Sequence, residues 1–197
     1  MNLQIQSETG TKYDPVFLKI IEDIPGGVTV KTNRFPTTTT EIKKGALLNA
    51  DATTAGLYNV IKTVKVTADG VSDATVVQVE PTDHLFKAGE FIFLWGATAS
   101  TITRVSTAAI AVTEALGSAV VVDGAVLYET AAAATATALY DTDAVLRDTI
   151  KVRDDEGTLL DNIFAGAVVR GTVDESELPY FVTDQSKTDL TARVRFA

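Results

Sequence analysis

The stretch FKAGEFIFLWG, residues 86–96, decides the fold class, because it joins a glycine turn to a strand of apolar and aromatic residues. Gly89 can adopt the positive φ of a tight turn, and the aromatic and β-branched residues behind it favour a strand. Two further copies of this turn-strand motif are IKKGALL at residues 42–48 and VVDGAVL at residues 121–127, with their glycines at Gly45 and Gly124. The three glycines are 44 and then 35 residues apart, which is too uneven for a tandem repeat. The sequence therefore predicts that three separate segments, each a glycine turn followed by a strand, belong to one β-barrel or sandwich.

Around this stretch, short apolar segments and turn signals alternate over the middle of the chain. In residues 64–67 and 76–80 apolar and polar residues alternate with period two, which is typical of strands with one face in water. Asp69-Gly70 between them is a hairpin signal. The pattern predicts a mainly β fold, a small β-barrel, β-tulip or sandwich. The expected strands are residues 46–48, 58–67, 74–80, 90–95, 101–105, 109–113 and 119–128.

Composition changes divide the chain into three parts. Residues 1–40 are predicted to form an extended N-terminal arm, and residues 41–140 the β-barrel or tulip domain. Residues 141–197 are predicted to be a β-rich C-terminal segment, which either forms a second small domain or closes the first. Within it, Gly166 marks a bend, and residues 184–190 form a short helix capped by Asp184 or Ser186.

Bulk composition limits the function classes. The chain has 197 residues, 46% hydrophobic and 22% charged, which is ordinary for a globular protein. Its net charge of −9 argues against a nucleic-acid partner, because such surfaces need clustered Lys and Arg. There is no cysteine, and neither a signal peptide nor a membrane-spanning stretch is recognisable. We expect a soluble protein made in the cytoplasm, with no membrane or nucleic-acid partner.

Catalytic and metal-binding patterns are not recognisable in the sequence. His84 is the only histidine, and we expect it to have a surface or packing role. Residues 141–143 and 154–157 are acidic but do not follow a calcium-loop pattern, so they are predicted to be solvated turns. A pair of carboxylates for glycoside hydrolysis remains open, because its geometry is invisible in sequence. The prediction is a protein that is not an enzyme and has no cofactor, metal or catalytic residue.

The turn-strand motif resembles the head-decoration proteins of tailed phages, of the lambda head-stabilising type. The segment IAVTEALGSAVVVDGAVL, residues 110–127, is the most similar part, and the resemblance covers roughly residues 40–130. The run IFAGAVVRGTVDESELPY, residues 163–180, is similar to the endings of auxiliary capsid and head-fibre proteins in phages of gut Bacteroidales. That second likeness covers roughly residues 145–197.

This resemblance implies a structural protein on the capsid exterior of the virion. Its partner would be the major capsid protein of the same phage, and it would self-associate, as a trimer. Binding only the expanded capsid lattice would stabilise that lattice by linkage. The arm would add a strand to a capsid sheet edge. The predicted docking residues are Leu3, Ile5, Val16, Phe17, Val28 and Val30.

Three alternatives accompany this hypothesis. A head-fibre or tail component that binds a host surface glycan would use Trp95 or Tyr128 in an exposed groove. The aromatic row of Phe91, Phe93 and Trp95 is predicted to be core rather than a glycan platform, because such rows on one strand are more often core. A small hydrolase would use neighbouring carboxylates. The major capsid protein itself is disfavoured, because the chain is short and no long helix is predicted.

Overall fold

The computed structural model describes residues 16–68, 70–71, 74–81, 84–94, 99–116, 120–121, 125–132 and 138–197. Eighteen strands, one α-helix (α1) and one 3-10 helix make up these segments, so the predicted mainly β fold class is confirmed. The strands are β1 Phe17–Asp23, β2 Val28–Val30, β3 Glu41–Ile42, β4 Leu47–Ala50, β5 Leu57–Val60, β6 Thr63–Lys65, β7 Gly70–Val71, β8 Val76–Gln78, β9 Phe91–Leu94, β10 Ser100–Ser106, β11 Ala109–Val112, β12 Val120–Val121, β13 Val126–Thr130, β14 Ala144–Leu146, β15 Ile150–Lys151, β16 Ile163–Ala165, β17 Ala167–Val173 and β18 Val194–Phe196. The helices are the 3-10 helix Glu175–Glu177 and α1 Asp184–Leu190.

A first barrel, which we call the split barrel, is built from residues 16–61 and 138–197. Its sheet runs β17-β14-β4-β5-β2-β16, and β16 continues into β17 through Gly166 alone. The two ends of that path are therefore one bent strand, and the sheet curls round on itself. Gly166 lies at the bend, as the sequence predicted. Buried aliphatic side chains such as Val30, Leu48 and Leu146 fill the interior.

A second barrel, the inserted barrel, is formed by residues 63–132. Its six-stranded sheet runs β6-β13-β9-β10-β11-β8. A bridge between Val66 and Val79 then joins its last strand back to its first, and the Thr67 amide donates to the Gln78 carbonyl at 3.1 Å. This pairing is the one that the alternating segments 64–67 and 76–80 predicted. A separate cluster of buried residues, including Phe86, Ile92 and Leu127, fills this barrel.

The strand pairing crosses both of the predicted domain boundaries. Residues 17–30, predicted as an arm, pair with β16 and β17, and β4 pairs with β14 from beyond residue 140. Residues 58–67, predicted as one strand, instead form β5 in the split barrel and β6 in the inserted barrel. Lys62 lies in the connection between them. The chain changes barrel there without a Gly or Pro, so a turn signal was missing.

The C-terminal helix α1 spans residues 184–190, as predicted. Its cap is Thr183, whose hydroxyl accepts from the Ser186 amide at 3.0 Å, and not Asp184 or Ser186. Thr183 precedes the first helical residue and has extended backbone angles, which are the requirements for an N-cap. Leu190 is buried in the split barrel and anchors the end of the helix.

Candidate functional site

The docking residues predicted from sequence are core residues wherever the structure describes them. Val16, Phe17, Val28 and Val30 are all buried, and Val30 is 0% exposed. Their burial partners belong to the same chain, so in this conformation these four side chains cannot contact another protein. The predicted extended arm of residues 1–40 is therefore corrected for residues 17–30, whose strands β1 and β2 pair within the split barrel. Leu3 and Ile5 lie outside the described residues.

Three of the exposed large apolar residues lie together on β1. After Phe17, every residue of this strand up to Glu22 is exposed. Leu18 is 44%, Ile20 43% and Ile21 56% exposed, which is unusual for aliphatic residues in a paired strand. Among the described strands, β1 pairs with β17 and with no other, so it is an edge strand. It presents unpaired backbone groups together with aliphatic side chains.

Both ends of β1 are fixed to the split barrel. Phe17 is buried at the start, and Arg147 contacts Asp23 at the end with a distance of 2.6 Å between Nη1 and Oδ2. Between them the pairing with β17 has irregular register, and Gly171 lies close under the strand. A Cβ on Gly171 would be 2.5 Å from the Lys19 carbonyl oxygen. The strand is thus held at a defined position while its outer side stays exposed.

Two glycines of the turn-strand motif occupy the positions predicted for them. Gly45 has a φ of +88° and Gly89 a φ of +89°, a region that side chains with a Cβ rarely adopt. Both precede strands of the described structure. Gly124 lies outside the described residues. The motif therefore serves turn formation at Gly45 and Gly89.

The aromatic residues proposed for a glycan site lie between the two barrels. Ile92 and Leu94 point into the inserted barrel. Phe93 lies on the opposite face of β9 and is 0% exposed. Its ring stacks on that of Tyr128, with the two ring centroids 5.2 Å apart. Tyr128 is half-buried, and burial raises the pKa of its hydroxyl. It is therefore not the exposed groove residue that the glycan hypothesis required. Trp95 lies outside the described residues.

A group of charged side chains joins the barrels beside this aromatic contact. Lys62 contacts Glu90, and its Nζ also donates to the Arg34 carbonyl at 2.6 Å. Arg34, on the loop after β2, contacts Glu129 of β13 and also lies over the Tyr140 ring, with its guanidinium carbon 5.0 Å from the centroid. We call Arg34, Lys62, Glu90 and Glu129 the junction charges. The group thus contains two basic and two acidic side chains, paired across the two barrels.

Burial shifts the pKa values of Lys62 and Glu129 in opposite directions. It lowers the pKa of Lys62 to about 8, and Glu90 acts in the opposite direction. Burial raises the pKa of Glu129 to about 8, since its Oε2 is covered and has no hydrogen-bond partner in the described structure. The contact between Arg34 and the other carboxylate oxygen of Glu129 opposes that rise. Sequence patterns missed this group. The available signals were two charged residues in apolar surroundings, Lys62 within the predicted strand 58–67 and Glu129 directly after the predicted strand 119–128.

A cleft of about 1020 Å³ is lined by residues of both the split barrel and the inserted barrel. The loop of residues 35–41 from the split barrel forms one wall, and residues 84–88 and 103–107 of the inserted barrel form the other. His84 is buried in this second wall, with Nε2 2.9 Å from the Ser106 carbonyl oxygen. His84 is thus a packed residue at the edge of a cleft and not a surface residue.

The acidic segments have structural partners. Asp143 accepts hydrogen bonds from the Ala50 amide at 2.8 Å and from the Asn49 side chain at 3.1 Å. Asp154 accepts from the amides of Glu156 and Thr158, which fixes a turn. Across the described ranges, no three His, Cys, Asp or Glu side chains are grouped closely enough to hold a metal ion. Within the same ranges, no helix has the length and apolar character needed to cross a membrane.

Comparison of the sequence with protein-family models and with curated proteins gives no match.

Proposed function

We propose that this chain is a structural protein of a tailed-phage head that binds the capsid exterior and stabilises the expanded lattice. The observation that supports this proposal best is β1, an edge strand with three exposed aliphatic side chains beside the exposed Lys19 and Glu22. Edge strands of monomeric proteins are usually shortened or charged to prevent association. A seven-residue edge strand with Leu18, Ile20 and Ile21 exposed fits a protein whose partner covers it.

The proposed mode of binding is strand addition. A β-strand of the capsid protein would pair with the outer side of β1, and its side chains would cover the three aliphatic residues. This mode was predicted for the N-terminal arm; the exposure of Leu18, Ile20 and Ile21 supports these three residues as the candidate contacts. Because binding is restricted to one state of the lattice, its free energy stabilises that state, and no chemical step is needed.

The test is co-sedimentation of the purified protein with phage heads that lack it, in expanded and unexpanded form. The proposal predicts saturable binding to expanded heads. The double variant Leu18→Lys/Ile21→Lys should bind at least about thirtyfold more weakly, the loss expected when a central apolar contact is removed. Val76→Lys is the matched control, because Val76 is 51% exposed on β8 of the inserted barrel.

Failure of the wild-type protein to bind either form of the head would contradict the capsid proposal. Equal binding by wild type and the β1 double variant would show that β1 is not the docking surface. Far-ultraviolet circular dichroism of each variant verifies that the fold is retained.

A further inference from the structure

The cleft between the two barrels has the chemistry of a ligand site. It is formed by two separate segments of the chain, the loop 35–41 and the wall of residues 84–88 and 103–107. Its volume of about 1020 Å³ falls at the upper end of the range for small-molecule sites, which suits a ligand of several linked rings. This region is separate from β1 and is not used by the proposed capsid contact.

Hydroxyl-bearing residues lie on both walls, among apolar ones such as Phe86 and Val105. The consecutive threonines 37–40 line one side, and Thr103, Ser106 and Thr107 line the other. Each hydroxyl can donate one hydrogen bond and accept others, so the walls can match a ligand that itself carries many hydroxyl groups. Thr37, Thr38, Thr103 and Thr107 are exposed to solvent. A polyhydroxylated ligand satisfies these groups better than an apolar one.

The charge of the lining is opposite to that of the protein. Lys87, Arg104 and Arg153 line the cleft together with one carboxylate, Glu41, whereas the whole chain carries a net charge of −9. Arg153 is held in place, since its side chain donates to the carbonyls of Thr39 and Gly157. Arg104 is exposed on β10. A cationic cleft on an acidic protein favours an anionic ligand over a neutral one.

The imidazole of His84 packs into the same wall. Nε2 lies at hydrogen-bond distance from a carbonyl oxygen, so it carries the proton and donates. Nδ1 is then an acceptor, and it has no hydrogen-bond partner in the described part of the chain. His84 is 8% exposed, so its ring is fixed in the wall. Because Nδ1 is covered, His84 shapes this wall by packing, and the contacts to a ligand fall to the exposed side chains around it.

We propose that this cleft binds an acidic oligosaccharide, with the threonine run contacting sugar hydroxyls and Arg104 contacting a carboxylate or sulfate group. An arginine guanidinium is suited to that contact, because its planar donor groups match the oxygens of an acidic group. The site differs from the one that sequence analysis predicted at Trp95 and Tyr128.

Isothermal titration calorimetry of the full chain tests the proposal with three acidic oligosaccharides: trigalacturonate, sialyllactose and a heparin tetrasaccharide. Neutral maltotriose is the control ligand. We expect one-to-one binding of at least one acidic ligand, weakening with added salt. Arg104→Gln should weaken that binding about tenfold or more, since hydrogen bonds to charged groups are strong. Arg195→Gln, an exposed arginine on the split barrel, should leave it unchanged.

Absence of binding by all three acidic ligands would overturn the proposal, and so would equal affinity for maltotriose. An equal loss of affinity in Arg104→Gln and Arg195→Gln would place binding elsewhere and overturn it as well. The double variant Thr37→Val/Thr38→Val gives a second measurement: its affinity should fall while its circular dichroism spectrum stays unchanged. These results are independent of the co-sedimentation experiment, because β1 is intact in every variant.

Discussion

Removing the ammonium group of Lys62 should destabilise the protein more than any ordinary lysine substitution. The Lys62 side chain is 1% exposed and lies against Glu90, which is 10% exposed. In Lys62→Met the chain length is kept, but the Arg34 carbonyl loses its donor and Glu90 stays buried without its cation. Removing one partner of a buried ion pair costs about 3–5 kcal/mol. We therefore expect the free energy of unfolding to fall by about that amount.

Urea denaturation followed by far-ultraviolet circular dichroism measures this change. Fluorescence of the single tryptophan, followed in parallel, tests whether the transition is two-state. Lys151→Met is the matched control, because Lys151 is exposed on β15; it should change the free energy of unfolding by less than about 0.5 kcal/mol. The double variant Lys62→Met/Glu90→Gln removes the uncompensated charge and should recover about 1–3 kcal/mol relative to Lys62→Met.

A free energy of unfolding of Lys62→Met within about 1 kcal/mol of wild type would contradict a buried ion pair at Lys62, since removing one partner of such a pair costs more than that. Additive effects of Lys62→Met and Glu90→Gln would refute it independently, because residues in direct contact should be coupled.

Three further predictions follow from named contacts. The free energy of unfolding should pass through a minimum near pH 8. The raised pKa of Glu129 makes this free energy fall between about pH 4.5 and 8, and the lowered pKa of Lys62 makes it rise above pH 8. Glu129→Gln should remove the fall between about pH 4.5 and 8, as measured by urea titration at each pH. Hydrogen bonds, that from Lys31 foremost, hold the pKa of Asp51 below its ordinary value, so wild type should lose stability as acid protonates this group, and Asp51→Asn should lose less between pH 5 and 2. Gly89→Ala should cost about 1–2 kcal/mol for its positive φ alone, whereas Gly45→Ala should cost more, because its Cβ would lie 2.8 Å from the Leu178 side chain; comparing their urea midpoints tests the difference.

Local sequence patterns predicted the parts of this fold that depend on near neighbours. Alternation over residues 64–67 and 76–80 gave two strands that do pair, and the helix at residues 184–190 has the predicted bounds. The positive φ values at Gly45 and Gly89 followed from the turn-strand motif. These features depend on residues a few positions apart, which is the range over which side-chain periodicity and turn chemistry act.

The candidate sites could not be predicted in the same way. Leu18, Ile20 and Ile21 are residue types that also fill the core strands. They are exposed only because β1 lies at the edge of its sheet. Conversely, Val28 and Val30 were predicted to be docking residues of an N-terminal arm. They are buried because β2 lies between β5 and β16, a position that no local pattern encodes.

The sequence by itself determined that the protein is mainly β, where its tight turns lie and where its one described α-helix begins and ends. The tertiary structure alone decided that residues on either side of the inserted barrel share one split barrel, that β1 is an exposed edge, and that a cationic cleft forms between the barrels. The physical reason is separation along the chain. Arg34 meets Glu129 across 95 positions, and Thr32 donates to the Leu160 carbonyl across 128. Such pairings depend on which strands become neighbours, and the alternation of apolar and polar residues fixes only which face of each strand is buried.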